Sequence, residues 1–408
     1  MVHCDELDTL SSEEEQWAKE KKVVEEGEEK AVEEGEDGEV GCLGWMFGVA
    51  QERLWAGRWG ESARLFELSL RLHRLIWHSL ALCCLSCREE EEDTSPPAGL
   101  PRELQLHWAV LRRAGCVGRC WGRIPGSCPP PSQQLMTDFR RREPYRYLHL
   151  AYRQLNESAR AASAAHTYLQ RNPEDLSMTT NLRYHSNADT PGEPDDLEER
   201  PYERAFLQAV FLFNGGEWRK SALLLEEALL GYQREHQLCT AACDIMLDTP
   251  SHSTVAEVYG EVLHCSVSCE DDLRPCVGGA YVDNFLPTIY HHLQFCYYKM
   301  EEFGSAVACA ASFLLFEPQD QLMRDNMEIY KTHQEQWRIH THHYTPRSEA
   351  VDYWTLISSM KEMLQLTRPN LHTHQQGGPD VEFSGEGGRE ERLQSHWEPP
   401  LRSRGDHG

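Results

Sequence analysis

The feature that most constrains the fold is an internal duplication. Tyr145–Asn181 and Tyr290–Asn326 align without a gap at a constant offset of 145 residues, matching Leu148 with Leu293, Tyr152 with Tyr297, Ala165 with Ala310, Leu169 with Leu314, Pro173 with Pro318, Met178 with Met323 and Asn181 with Asn326. Repetition on this scale marks architectures whose units bury their apolar stripes by stacking on neighbours. Within each copy the pattern is a helix, a short polar turn, an Ala-rich helix, and then a Pro and an acidic residue that open a third helix. Small residues such as Ala161, Ala164 and Ala165 let paired helices approach closely.

A weaker echo precedes each copy. AGRWGES (Ala56–Ser62) answers NGGEWRKS (Asn214–Ser221), with Trp59 opposite Trp218, and an amphipathic helix follows in both places. Strand-like alternation is scarce. The expected fold is therefore all-α, a tetratricopeptide-like helical repeat array in two duplicated modules. The expected boundaries are an acidic disordered segment over 1–44, a first module over 45–185, a linker over 186–200, a second module over 201–366 and a disordered tail over 367–408. Glu89–Pro101 and Pro125–Ser132, rich in Pro, Gly and acid, read as surface loops.

The chain carries 15 cysteines, and eight of them form four C-x3-C pairs: Cys83 and Cys87, Cys116 and Cys120, Cys239 and Cys243, Cys265 and Cys269. On a helix, residues four apart share one face. Two such helices packed antiparallel can be stapled twice, each bond joining the early cysteine of one helix to the late cysteine of the other. The predicted bonds are Cys83–Cys120, Cys87–Cys116, Cys239–Cys269 and Cys243–Cys265, making each module a disulfide-stapled hairpin followed by repeat helices. Such bonds persist in an oxidising compartment. Zinc and inert core thiols are the alternatives; zinc sites favour C-x2-C with a turn between the ligands. Cys296 and Cys309 fall on apolar helical positions and read as packed thiols.

Charge removes one class of function. At a formal −26 the chain lacks the clustered Lys and Arg that grip nucleic acid. Much of the acid lies in two runs, Glu13 to Glu39 and Glu89 to Asp93, which read as solvated segments. No stretch reaches the ~18 apolar residues of a membrane span. Residues 1–40 are acidic where a secretory signal has a basic start and an apolar core, and no Lys-Asp-Glu-Leu-type retention ending is present.

Several local features carry chemistry of their own. Asn156-Glu157-Ser158 is a glycosylation sequon in a turn between helices. Tyr145, Tyr152, Tyr290, Tyr297 and Tyr298 form an aromatic stripe: as core, the rings fill holes between stacked helices; as function, they line a groove for a Pro-rich strand. His340, His342 and His343 read as a polar loop rather than a metal cluster. His-x-acid spacings, as at His333 and Glu335, lack the strand context of an iron dioxygenase. No phosphate loop or nucleophile elbow is present. No catalytic residue and no cofactor is expected.

With the repeats and cysteine pairs in place, the chain resembles the leprecan family, which joins prolyl 3-hydroxylases with non-catalytic scaffolds of the cartilage-associated protein type. The likeness is carried by YLHLAYRQLN from Tyr147, HLQFCYYKM from His292, FRRREPY from Phe139, AAHTYLQRNPED from Ala164, RPYERAFLQAVFLFNGGEWRKS from Arg200, VGGAYVDNF from Val277, and the pairs CTAAC and CSVSC; it runs from about Gly48 to Leu366. The resemblance implies a non-enzymatic scaffold or chaperone of the endoplasmic reticulum lumen. It implies partnership with prolyl 3-hydroxylase, lysyl hydroxylase, cyclophilin B and procollagen chains, and a role in collagen modification, folding and fibril organisation. A prolyl 3-hydroxylase without its dioxygenase domain and a cytosolic tetratricopeptide adaptor are the other readings.

Overall fold

The computed structural model describes residues 42–92, 96–97, 100–121, 132–186, 194–244, 255–277 and 280–371. The acidic runs over residues 1–41, the loop over 125–131, the middle of the expected linker (187–193) and the tail after residue 371 lie outside the described residues.

Among the described residues the fold is helical throughout, apart from one two-residue antiparallel ladder. Helices α1 (Leu43–Trp55), α2 (Trp59–Glu92), α3 (Arg102–Trp121), α4 (Gln133–Arg140), α5 (Glu143–Gln154), α6 (Ser158–Leu169) and α7 (Leu176–Ser186) come first. Then follow α8 (Pro201–Asn214), α9 (Trp218–Ala242), α10 (Val255–Asp272), the strands β1 (Cys276–Val277) and β2 (Ala280–Tyr281), and α11 (Phe285–Lys299), α12 (Phe303–Phe316), α13 (Gln321–Thr332) and α14 (Ser348–Leu371). The tetratricopeptide-like array of stapled hairpins is thus present.

The duplication repeats down to single backbone angles. Gly57 and Gly216, at the turns before α2 and α9, both have φ of 77°, a left-handed conformation that glycine adopts without a Cβ clash. One turn on, Ser62 Oγ donates to Ala50 O at 2.8 Å, and Ser221 Oγ donates to Ala209 O at 2.9 Å. Asn156 and Glu301, 145 residues apart, both take positive φ in the turns α5–α6 and α11–α12. The acidic residue after each repeat proline does what a helix N-terminus requires. Asp175 Oδ1 accepts the Met178 N–H at 3.0 Å, and Asp320 Oδ1 accepts the Met323 N–H at 2.7 Å, satisfying amides the helix cannot.

The helices form two compact units. The first runs to Gln208 and takes in Glu227–Asp283; the second takes in Ala209–Glu226 and continues from Asn284. In the first, Phe66 stacks on Tyr147 at 5.4 Å and meets Phe47 edge-on, over buried Leu54, Leu72, Leu148 and Ala165. In the second, Phe213, Trp218 and Phe295 pack within 5.4 Å of one another, and Leu293, Val307, Ala310, Met323 and Tyr330 are buried.

Two segments differ from the sequence reading. The loop expected from Glu89 begins later, because α2 continues to Glu92; glutamate is a fair helix former, and the first strong breaker is Pro96. The end of the expected linker is tied down within the first unit: Asp196 pairs with Arg142 at 3.0 Å, Glu198 with Arg74 at 2.9 Å, and the Leu197 N–H donates to Thr167 Oγ1 at 2.8 Å.

Candidate functional site

The site with the most built-in chemistry is the pair of stapled hairpins, both in the first unit. Helices α2 and α3 are joined by Cys83–Cys120 and Cys87–Cys116, whose Cα atoms lie 5.7 and 5.9 Å apart. Helices α9 and α10 are joined by Cys239–Cys269 and Cys243–Cys265, at 6.0 and 5.8 Å. Each bond pairs an early cysteine with a late one, as antiparallel helices demand. Each also runs from interior to surface: Cys87, Cys120, Cys243 and Cys269 are buried, and their partners Cys116, Cys83, Cys265 and Cys239 are half-buried. Cys42 is disulfide-bonded as well. Cys84, Cys296 and Cys309 are buried thiols. Burial pushes the Cys84 thiol up to about 12, with the Asp244 carboxylate adding to it, and raises Cys296 to about 11 and Cys309 to about 12.

A buried carboxylate locks one hairpin to the other. Asp244 lies directly after Cys243, with its side chain 3% exposed. It accepts Arg88 Nε at 2.8 Å and Arg88 Nη2 at 3.2 Å, and Arg113 Nη2 pairs with the same carboxylate. Arg88 also donates to the Thr240 carbonyl at 2.6 Å. An apolar seam of Ala81, Leu238 and Ala242, flanked by Trp77 and Leu85, lies between the same helices. Nearby His236 is depressed to about 4, first by burial and then by the positive charge of Arg88.

The five tyrosines go mostly to the core. Tyr145, Tyr152 and Tyr290 are 2%, 3% and 0% exposed, so these rings offer no face to a ligand, and the groove reading is corrected for them. Tyr145 Oη donates to Glu198 at 2.7 Å, and Tyr152 Oη to Glu67 at 2.6 Å, under Arg160 at 4.2 Å from the ring centroid. Burial raises both phenols, and the neighbouring carboxylates add to the effect. Tyr290 stacks on Phe316. Tyr297 and Tyr298 are half-buried: Tyr297 Oη donates to Glu226 at 2.7 Å, and Tyr298 meets Phe303 and Trp337 edge-on.

Asn156 is exposed in its turn. His340, His342 and His343 form a 3-10 turn in which His343 Nδ1 accepts the His340 N–H at 3.1 Å and the His343 ring covers Gly304. Sequence reasoning missed Arg88, Arg113 and Asp244. A lone acid adjoining a cysteine pair was the available signal. It also missed Glu67 and Glu226, although both follow the repeated tryptophan by eight residues.

Fold and site together define a disulfide-stapled helical repeat protein. The profile described as the leprecan family TPR-like repeat region matches residues 43–334, and the chain belongs to that family. It is 36% identical over 399 residues to endoplasmic reticulum protein SC65 of Rattus norvegicus, covering 89% of this chain and 90% of that one. It is 37% identical over 329 residues to human cartilage-associated protein, covering 78% and 81%. Against human prolyl 3-hydroxylase 1 it is 31% identical over 333 residues, which is 76% of this chain and 45% of the enzyme. Among the described residues, no helix is long and apolar enough to cross a membrane.

Proposed function

We propose that this chain is a non-enzymatic scaffold or chaperone of the endoplasmic reticulum lumen. It supports prolyl 3- or lysyl hydroxylation and folding of procollagen, in assemblies with prolyl 3-hydroxylase, lysyl hydroxylase and cyclophilin B. The observation that carries this reading is the degree of likeness along the shared repeat region: the chain is 36% identical to SC65 and 37% identical to cartilage-associated protein, against 31% to prolyl 3-hydroxylase 1. The paired disulfides support an oxidising compartment. Asn156, exposed in its turn, is the proposed glycan acceptor. Of the aromatic stripe, Tyr298 is the proposed contact for a Pro-rich strand, because it adjoins half-buried Phe303 and Trp337.

The test is purification of the tagged full chain from collagen-secreting cells under mild, calcium-replete lysis. A prolyl or lysyl hydroxylase should co-purify at a constant ratio, and loss of the chain should lower hydroxylation at mapped collagen prolines or lysines. Purification without either hydroxylase, together with unchanged collagen, defeats the reading.

A further inference from the structure

Helix α3 is apolar on two opposite faces. Val117 and Cys120 lie on its inner face and are buried. On the outer face, Leu104 and Leu111 are 48% and 73% exposed, with half-buried Trp108 between them and exposed Gly115 one turn beyond. The spacing i, i+4, i+7, i+11 is that of a coiled-coil seam, here about 16 Å long. A Cβ built on Gly115 meets nothing nearer than Arg119 Nη1, at 3.9 Å, so a partner backbone can come close there. Arg112 and Arg119, seven residues apart, run along one edge of the stripe, and Arg112 sits over the Trp108 ring at 5.2 Å. Among the described residues, neither arginine has an acidic partner.

The second hairpin acts as an internal control. Helix α10 is stapled to α9 by the same geometry, yet the positions that match Leu104, Trp108, Leu111 and Gly115, counted from the cysteines, are Ser253, Glu257, Gly260 and His264. A stapled helix therefore does not need an apolar outer stripe. The charge also reverses. Helix α3 carries Arg102, Arg112, Arg113 and Arg119 against Glu103 alone, whereas α10 carries Glu257, Glu261, Glu270, Asp271 and Asp272 with no Lys or Arg. In a chain of formal charge −26, an apolar face with a basic edge is a local exception.

We propose that the outer stripe of α3 docks an amphipathic helix of a partner protein, one whose apolar anchors are flanked by Asp and Glu. The seam spacing calls for a helix, which presents anchors at the same intervals. The arginine edge calls for acid. Leu104, Trp108 and Leu111 take the apolar anchors, and Arg112 and Arg119 meet the carboxylates beside them. A second copy of this chain would bring the same two arginines to the seam and no acid, so like charge opposes self-pairing. The two bridges to α2 hold α3 in place before the partner arrives, which lowers the ordering cost of binding. None of this depends on the collagen reading.

The experiment uses the full oxidised chain and a fluorescent three-heptad helical peptide with Leu at a and d and Glu at e and g, the glutamates keeping it from pairing with itself. Fluorescence anisotropy should show saturable binding, and the same peptide with Lys at e and g should bind at least about tenfold more weakly. Leu104→Glu/Leu111→Glu should weaken binding by at least about tenfold, and Leu176→Glu, at an exposed site on α7, should leave it unchanged. Arg112→Glu/Arg119→Glu should turn the preference toward the lysine peptide, a reversal that damage to the fold would not produce. The proposal is overturned if the glutamate peptide does not bind, if binding survives Leu104→Glu/Leu111→Glu, or if the arginine variant keeps the original preference. Self-association of the chain that Leu104→Glu/Leu111→Glu abolishes would assign the face to a second copy and also overturn it.

Discussion

Tyr297 Oη donates to Glu226 Oε1 at 2.7 Å, and the same carboxylate takes a two-pronged contact from Arg347, at 2.7 and 2.8 Å. The first copy builds the same group from Tyr152, Glu67 and Arg160, with the arginine drawn from α6 instead of the segment before α14. One tyrosine–carboxylate contact thus ties α5 to α2, and its duplicate ties α11 to α9. Tyr297→Phe removes a hydrogen bond to a charged acceptor and should lower stability by roughly 1.5–3 kcal/mol. Glu226→Gln should cost more, because it removes the carboxylate charge from both Tyr297 and the two-pronged contact of Arg347, leaving Glu349 as the arginine's carboxylate partner. Chemical denaturation of the single and double variants checks this: a double-mutant coupling near zero would mean the phenol and the carboxylate are energetically independent.

Asp244 should be among the most sensitive side chains of the first unit. Asp244→Ala removes the buried carboxylate that Arg88 and Arg113 share, and breaking a buried ion pair from one side costs about 3–5 kcal/mol. The four disulfides stay intact in this variant, so each hairpin keeps its own geometry while the lock between hairpins is lost. Hydrogen exchange should show the change: amides of α2 and α9 near Arg88 and Thr240 lose protection, while those of α12 and α13 do not.

The two bonds of one hairpin should not contribute equally when removed in turn. Cys83–Cys120 closes a sequence separation of 37 residues and Cys87–Cys116 one of 29, and loops of this length cost the unfolded chain about 3–4 kcal/mol of entropy. With either bond in place, the other closes only the short frame between adjacent helical turns. Cys83→Ser/Cys120→Ser should therefore destabilise by roughly 1–2 kcal/mol, and removal of all four sulfurs by about 5 kcal/mol, more than twice the single loss. Equal, additive losses in denaturation midpoints would contradict this.

The sequence disclosed what local geometry dictates. An i, i+4 cysteine pair has one face on any helix, so the disulfide partners followed once the helices were taken as antiparallel. The duplication likewise marked matching turns, with Gly57 echoed by Gly216 and Asp175 by Asp320. What stayed hidden depends on long-range packing. Arg88 and Asp244 are 156 residues apart, and nothing local tells an arginine after a cysteine that its partner follows another cysteine. The tyrosines were ambiguous for a related reason: helical spacing puts Tyr145 and Tyr298 on apolar faces alike, and only the packed neighbours decide that one ring is enclosed and the other half-open. Equal local structure also does not say how copies group. Both stapled hairpins fall in the first compact unit, whereas the repeat pattern placed one in each module.

Three histidines, His236 buried and His73 and His291 half-buried, should make the fold sensitive to mild acid. His73, stacked on Phe139 at 4.7 Å, is depressed to about 4, chiefly by burial and against the pull of Glu198; His236 and His291 are also depressed to about 4 by burial. An unfolded histidine takes its proton near pH 6.5, and these folded ones resist until about 4. Between those values the unfolded chain binds more protons, so stability is fully present above about pH 6.5 and falls as the pH drops toward 4. Each site contributes up to roughly 3 kcal/mol of that loss, at 1.36 kcal/mol per pH unit. His73→Phe keeps a ring against Phe139 and removes one titrating group. Its denaturation midpoint should fall less steeply than that of the parent chain between pH 6.5 and 4.5. An unchanged slope would mean His73 is already protonated in the folded protein, and that the Glu198 carboxylate outweighs burial at this site.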